Sequence, residues 1–166
     1  MAISDLLSQE LDQEAQTTRR VLERVPDDKL AWKPHDKSMS LGQLALHVAT
    51  VPGNVAQRAS QSSVQVPDNF TQLAAATAAE LVPALEESVA TAKGILANLD
   101  DEGMAGTWTA QVGDREVMSV PRGVVFRSIL FNHWYHHRGQ LSVYLRLLDI
   151  PVPSIYGPSA DENPFA

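Results

Sequence analysis

Hydrophobic residues recur at helical spacing in four stretches of the chain. In the first two, steps of three or four positions predict one helix that Pro26 ends and a second that begins near Leu41, after a capping box formed by Ser40 and Gln43. Their apolar positions are Ile3, Leu7, Leu11, Ala15, Thr18, Leu22 and Val25 in the first helix, and Leu44, Val48, Val51 and Val55 in the second. We expect Pro52-Gly53 to kink or interrupt the second helix.

The second half of the chain holds the other two helical stretches. The third carries Leu81, Leu85, Val89, Ala92, Leu96 and Leu99, and Pro83 indicates that this helix either starts late or bends. Pro121 suits the first turn of a fourth helix, which continues to about Leu148. The spacing therefore predicts an all-α fold.

Three connecting segments complete the picture. Residues from about Ser60 to Phe70 look like a polar loop, whereas residues 103–120 have the turn and alternation of a β-hairpin. The tail after Leu148 is rich in Pro, Ser and Gly and cannot continue a helix, although Tyr156 could fasten it to the core. We predict one domain, residues 1–166, that forms a four-helix bundle with a small hairpin before the last helix. Because some connections are long, a simple up-down order is not expected.

Charge and composition exclude several classes of function. With 13 Lys and Arg against 20 Asp and Glu, the net charge of -7 disfavours nucleic acid as a partner. The chain has no cysteine, which excludes thiolate metal sites and disulfides. No signal peptide or membrane span is predicted, so we expect a cytoplasmic protein with no membrane partner.

Histidines supply the candidate chemistry, because three of the five lie between positions 133 and 137. His133 and His137 are four residues apart, which places two imidazoles on one helix face. A third ligand has to come from elsewhere; His47 lies on the apolar stripe of the second helix, while His35 lies in a charged loop and is expected to be exposed. Trp134 occupies the position of the catalytic glutamate in HExxH, so a metalloprotease mechanism is excluded.

A helical wheel does not decide between His136 and His137. Its outward side is marked by four polar residues of the fourth helix, and the opposite direction falls close to His133, with His136 and His137 on either flank. The outward residues are Arg127, Arg138, Ser142 and Arg146. A metal site explains a cluster of histidines near one buried face economically, and a metal-free histidine network remains the alternative.

The chain resembles the DinB-like superfamily in the stretches LAWKPHDKSMSLGQLALHVA (residues 30–49) and HWYHHRGQLSVYLRLLDIPVPSIYGPSADE (residues 133–162). The resemblance implies a three-histidine site formed by His47, His133 and His137, with His136 as a neighbour. It also implies a divalent ion, often nickel or zinc, a helical bundle with an unusual connection order, and frequent homodimers.

Some members of the superfamily are thiol-dependent transferases or isomerases. The resemblance thus implies a metal-dependent enzyme that activates a low-molecular-weight thiol cofactor or water toward a small electrophilic substrate. The alternative is a non-catalytic or stress-associated dimer whose ion is structural. On the outward side, Arg138 is expected in a surface or dimer contact; Gln140 either orients a ligand or only adds helix polarity, and Tyr156 either covers the site or anchors the tail.

Overall fold

The computed structural model describes residues 2–67 and 69–166, which form long helices and a small sheet. The helices are α1 (Ile3–Leu22), α2 (Leu41–Ser60), α3 (Leu81–Leu96), the short α4 (Asp101–Ala105) and α5 (Arg122–Val124), and α6 (Asn132–Leu147). A π-helical segment, Val125–Phe131, joins α5 to α6, so the predicted fourth helix is one unbroken helical stretch. The strands are β1 (Ser63–Gln65), β2 (Thr107–Val112) and β3 (Arg115–Pro121).

The sheet contains the predicted hairpin and one strand that was not predicted. Strands β2 and β3 pair antiparallel around a turn at Gly113, whose φ of 57° is easily adopted by glycine. Strand β1 adds parallel to the other edge of β2. The expectation of a polar loop between Ser60 and Phe70 was therefore wrong for β1, and the all-α class is corrected to a mainly helical fold with a three-stranded sheet.

Leucines, valines and aromatic rings from the long helices form the core. Helix α2 packs against both α3 and α6, and α1 packs against α3. The largest apolar side chains in this core include Leu11, Leu44, Leu81, Phe126 and Trp134, each with no exposed surface. The bundle arrangement with a non-simple connection order stays a prediction.

Local signals at the helix starts are confirmed in atomic detail. The Ser40 amide donates to Gln43 Oε1 at 2.8 Å, and the Gln43 amide donates to Ser40 Oγ at 3.2 Å, which closes the capping box that starts α2. Helix α3 begins at Leu81, so Pro83 falls in the first turn, where its missing N–H costs no helical hydrogen bond.

Helix α2 runs through Pro52 without interruption, so the expected interruption is wrong, while the alternative of a kink stays a prediction. Pro52 has no N–H to donate to the carbonyl of Val48, four residues earlier. The indole Nε1 of Trp134 in α6 donates to that carbonyl instead, at 2.8 Å. The proline is tolerated because a neighbouring helix satisfies the freed acceptor.

Side chains of α1 and α6 hold the C-terminal tail. Arg20 pairs with Glu162, and Arg146 pairs with Asp161. Near the same end of α6, the half-buried ring of Trp32 packs edge-on against Tyr144, with centroids 5.7 Å apart. None of the helices in the described residues is long and apolar enough to cross a membrane.

Candidate metal centre

Helices α2 and α6 bring together the three histidines that the sequence singled out. His47 comes from α2, and His133 and His137 come from successive turns of α6. Each offers a ring nitrogen, and these three nitrogens all lie within 4.8 Å of one another. All three rings are half-buried, so they are shielded but still reach a cavity. The group could hold a metal ion.

The distances fit a metal ion after a small adjustment. The Nε2 atoms of His47 and His133 lie 3.0 Å apart. With metal–nitrogen bonds of about 2.0–2.1 Å, two ligands of a tetrahedral ion would lie about 3.3–3.4 Å apart. The rings of His47 and His133 therefore need to separate by only a few tenths of an ångström. The third ring is equally near: the centroid of His137 lies 4.5 Å from that of His47 and 4.4 Å from that of His133.

The surroundings keep these imidazoles neutral. Burial, followed by the positive charges of His137 and His133, lowers the pKa of His47 to about 4. Burial is also the main cause that lowers the pKa of His133 and of His137. Because a metal binds only the neutral ring, this environment leaves the nitrogens available at neutral pH.

Gln140 orients one of the rings. Its side-chain carbonyl Oε1 lies 2.7 Å from Nδ1 of His137. Since a carbonyl oxygen only accepts, Nδ1 carries the proton and Nε2 keeps its lone pair for a ligand bond. Of the two roles considered for Gln140, the contact favours orientation of a site residue.

Trp134 and Val48 connect the two helices beside the site. The hydrogen bond from Trp134 to the Val48 carbonyl joins the residues that directly follow His133 and His47. It is buried, so water does not compete with it. This contact sets the separation of α2 and α6 where the histidines meet.

Arg138 does not lie on the outward side of α6, and the expectation of a surface or dimer contact was wrong. Its side chain is 1% exposed and pairs with the buried carboxylate of Glu14 in α1, with nitrogen and oxygen 2.5 Å apart. It also donates to Thr18 Oγ1 at 3.0 Å and to the Tyr156 hydroxyl. The wheel failed because it took arginine as a marker of exposure; the buried stripe of α6 is Trp134, Arg138, Leu141 and Leu145.

The other singled-out residues lie outside the histidine group. His35 is exposed, as expected, and accepts from the Lys37 amide, while His136 is exposed and its ring lies 4.9 Å from that of His137. Tyr156 anchors the tail, because its hydroxyl donates to Glu14 Oε2 at 2.9 Å. Burial, opposed by Arg138 and supported by Glu14, raises the pKa of Tyr156 to about 12, so the hydroxyl stays protonated.

A cavity of about 480 Å³ opens onto the three histidines. Its walls come from α2, from the segment that precedes α3, and from the π-helical segment and α6. The residues besides the histidines are Val51, Asn54, Val55, Arg58, Phe70, Thr71, Gln72 and Ile129. Cavities of about 300–1,000 Å³ hold small molecules. Sequence reasoning missed this wall, whose residues are distant in sequence.

The π-helical segment Val125–Phe131 was also missed. It ends two residues before His133, and Ile129 within it lines the cavity. Such segments interrupt α-helices frequently at functional sites. Its sequence, VFRSILF, is apolar with an arginine and a serine, and it carries no signal that separates it from an ordinary α-helix.

Fold and site together define a mainly helical protein with a three-histidine group that could bind metal. The model of the DinB family matches residues 1–164, and the chain belongs to this family. The uncharacterized protein YrdA of Bacillus subtilis (strain 168) is 23% identical over 153 residues, covering 90% of this chain and 85% of YrdA.

Two solved structures share the fold. A DinB-like protein from Bacillus cereus ATCC 10987 has a TM-score of 0.70 at 18% identity, covering 90% of this chain and 95% of its own. The DinB-like protein YjoA of Bacillus subtilis has a TM-score of 0.66 at 19% identity, covering 88% and 95%.

Proposed function

We propose that this protein is a metal-dependent enzyme that holds one divalent ion, nickel or zinc, through His47, His133 and His137. The observation that carries the proposal is the convergence of three neutral imidazole nitrogens within 4.8 Å of one another at the mouth of a cavity. Three imidazoles leave the charge of a divalent ion uncompensated. A bound ion would lower the pKa of a coordinated thiol or water, which makes either a nucleophile near neutral pH.

The protein's own residues fit this chemistry. Gln140 keeps the proton of His137 on Nδ1, so Nε2 keeps its lone pair for a bond to the ion. Val51, Val55 and Ile129 give the cavity an apolar wall, which limits the water around a bound nucleophile. The proposed reaction is attack by the activated thiol or water on a small electrophilic substrate, as in a thiol S-transferase.

An open coordination position favours catalysis over a structural ion. Within residues 2–67 and 69–166 the ligand group contains these three histidines and no fourth His or carboxylate. Structural zinc sites are closed by four protein ligands, whereas catalytic sites keep a position for water or substrate. The non-catalytic reading, a stress-associated dimer with a structural ion, requires a fourth ligand.

The 3.0 Å contact between His47 and His133 supports a third possibility, a metal-free histidine network. One ring would then donate a hydrogen bond to the other. The remaining assignments of the proposal are a single domain in the form of a four-helix bundle, a homodimer, a cytoplasmic location, and a low-molecular-weight thiol as cofactor. They rest on the likeness to the superfamily and on the composition of the chain.

Metal analysis of untagged protein tests the centre directly. We expect one nickel or zinc ion per chain after loading, and an affinity that falls more than about 100-fold in His47→Ala, beyond the loss typical of an outer hydrogen-bond partner. His35→Ala is the matched control, because His35 is an exposed histidine outside the group. Wild-type protein that stays metal-free in excess metal, or equal losses in both variants, would refute the centre.

Cobalt loading separates a catalytic ion from a structural one. Co²⁺ in place of the native ion reports its ligands through visible absorption. We expect added 2-mercaptoethanol to shift these bands, because a thiolate enters the open position. A spectrum that does not respond to thiol, azide or pH identifies a closed, structural site.

A further inference from the structure

One face of α2 leads away from the metal centre along the cavity. His47, Val51, Asn54 and Arg58 follow one another at steps of three or four residues, so they share this face. All four line the cavity, together with Val55. The wall is therefore polar at the histidines, apolar in the middle, and polar again at Asn54 and Arg58.

The charges along this wall have one sign. Among the described residues, the cavity lining contains Arg58 and no carboxylate. No ion pair between described residues involves Arg58, in contrast to Arg138, which is fully paired with Glu14. With a divalent ion at the other end, the cavity would present two positive groups to a ligand, and a field of one sign selects the opposite charge.

The helix sets the distance between these two groups. His47 and Arg58 are eleven residues apart, which is about 16 Å along the axis of an α-helix. Side chains in a helix tend to lean toward its N-terminus, a tendency that would bring the Arg58 side chain closer to His47 than this rise. A ligand that reaches both groups has to be elongated.

We propose that Arg58, with Asn54 beside it, is an anion-binding subsite, so that the ligand of this protein is an elongated molecule with a metal-binding thiol or oxygen at one end and a carboxylate at the other. The apolar side chains between the ends would contact a hydrocarbon body. Arg58 can donate two parallel hydrogen bonds to a carboxylate, and Asn54 can donate one from its amide. This inference rests on the proposed metal centre.

Thiols of different length and charge test the subsite in cobalt-loaded protein. The probes are 8-mercaptooctanoate, its neutral analogue 8-mercapto-1-octanol, and the short 3-mercaptopropionate, each titrated by the thiolate-to-cobalt absorption band. We expect the long acid to bind about tenfold more tightly than the long alcohol, a ratio typical of one charge-assisted contact. In Arg58→Gln that tenfold preference should disappear, while the affinities for the alcohol and for the short acid stay unchanged.

Arg115→Gln is the control, because Arg115 is an exposed arginine of β3 outside the cavity lining. It should keep the full preference for the long acid. Equal binding of long acid and long alcohol, or an equal loss for both in Arg58→Gln, overturns the subsite and leaves the metal centre intact. If no thiol gives a cobalt band in wild-type protein, the proposed function fails, and the subsite fails with it.

Discussion

The polar side chains on the two sides of α6 differ in how far other residues of the protein satisfy them. On the side that faces α1, the guanidinium of Arg138 is buried and satisfied by the Glu14 carboxylate, Thr18 and Tyr156. On the side that faces α2, the half-buried rings of His133 and His137 meet His47, and one nitrogen of each ring lies within 4.8 Å of the others beside the cavity. Both sides are polar, and they are adjacent in sequence, because Arg138 directly follows His137.

The difference shows which polar cluster is complete, in the sense that its charged groups find their partners within the protein. Removing charges from water costs several kcal/mol per ion, which only well-placed partners repay, and Arg138 has such partners. Three imidazoles without acid partners do not neutralise one another; burial, followed by the charges of His137 and His133, lowers the pKa of His47. A complete network needs no ligand, whereas the histidine group gains ligand bonds from an added cation. Structure and metal binding should therefore respond to different substitutions.

Disrupting the buried pair of Arg138 and Glu14 should give the largest effect on stability. In Arg138→Met the Glu14 carboxylate remains buried without its charged partner, and we expect a loss of about 3–5 kcal/mol in the free energy of unfolding. Metal affinity of the folded variant should change by less than about threefold, because Arg138 does not contact the three rings. Urea unfolding followed by circular dichroism, together with metal titration, measures both quantities.

The double variant Glu14→Gln/Arg138→Met is the control for this substitution. It removes both charges, so its stability should lie above that of Arg138→Met. His47→Ala, in the metal-free state, should differ from wild type by less than about 1 kcal/mol. If Arg138→Met instead keeps its stability and loses metal affinity, Arg138 belongs to the metal site and the distinction between the two sides is wrong.

The sequence predicted the helix positions and the histidine group better than it predicted the charged network. His47 was found because it lies on the apolar stripe of α2, and His133 and His137 because a spacing of four places them on one helix face. The choice of His137 over His136 came only from the resemblance to the superfamily. Glu14 was missed, although it follows Leu7 and Leu11 at steps of four and three and precedes Thr18, so it lies on the buried stripe of α1. An acid on one buried stripe and an arginine on another are a signal for a buried pair.

Other features depend on contacts that a single segment does not encode. Strand β1 has three residues and pairs only because β2 offers a free edge. Helix α2 continues through Pro52 because Trp134 donates to the Val48 carbonyl. Trp134 lies 82 residues after Pro52 in the chain. Both outcomes are tertiary, so propensity and periodicity alone could not give them.

A substitution at Trp134 tests the contact between α2 and α6. Phenylalanine in its place keeps an aromatic ring and removes the N–H, which leaves the Val48 carbonyl buried without its donor. We expect Trp134→Phe to lower the free energy of unfolding by about 1–3 kcal/mol. Chemical denaturation measures the loss, and metal titration shows whether the separation of α2 and α6 also changes at the histidines.

Pro52→Ala supplies the matched rescue. Alanine restores the backbone N–H that can donate to the Val48 carbonyl within α2. Trp134→Phe should therefore cost less in the Pro52→Ala background than in wild type, and a double-mutant cycle gives the coupling. Strictly additive losses would mean that the indole hydrogen bond does not replace the missing helical one.

Substitution of Gln140 should give the smallest effect, and it should change metal affinity without changing stability. Without the Gln140 carbonyl, Nδ1 of His137 loses its acceptor, and the ring is free to rotate or to carry its proton on Nε2. We expect Gln140→Leu to weaken metal binding by about tenfold, the lower end of the range for such partners, with the stability of the metal-free protein unchanged. Gln140→Glu keeps an acceptor at this position and should retain the affinity. Equal losses in the leucine and glutamate variants would show that Gln140 acts through helix packing, and the orientation of His137 would then need another cause.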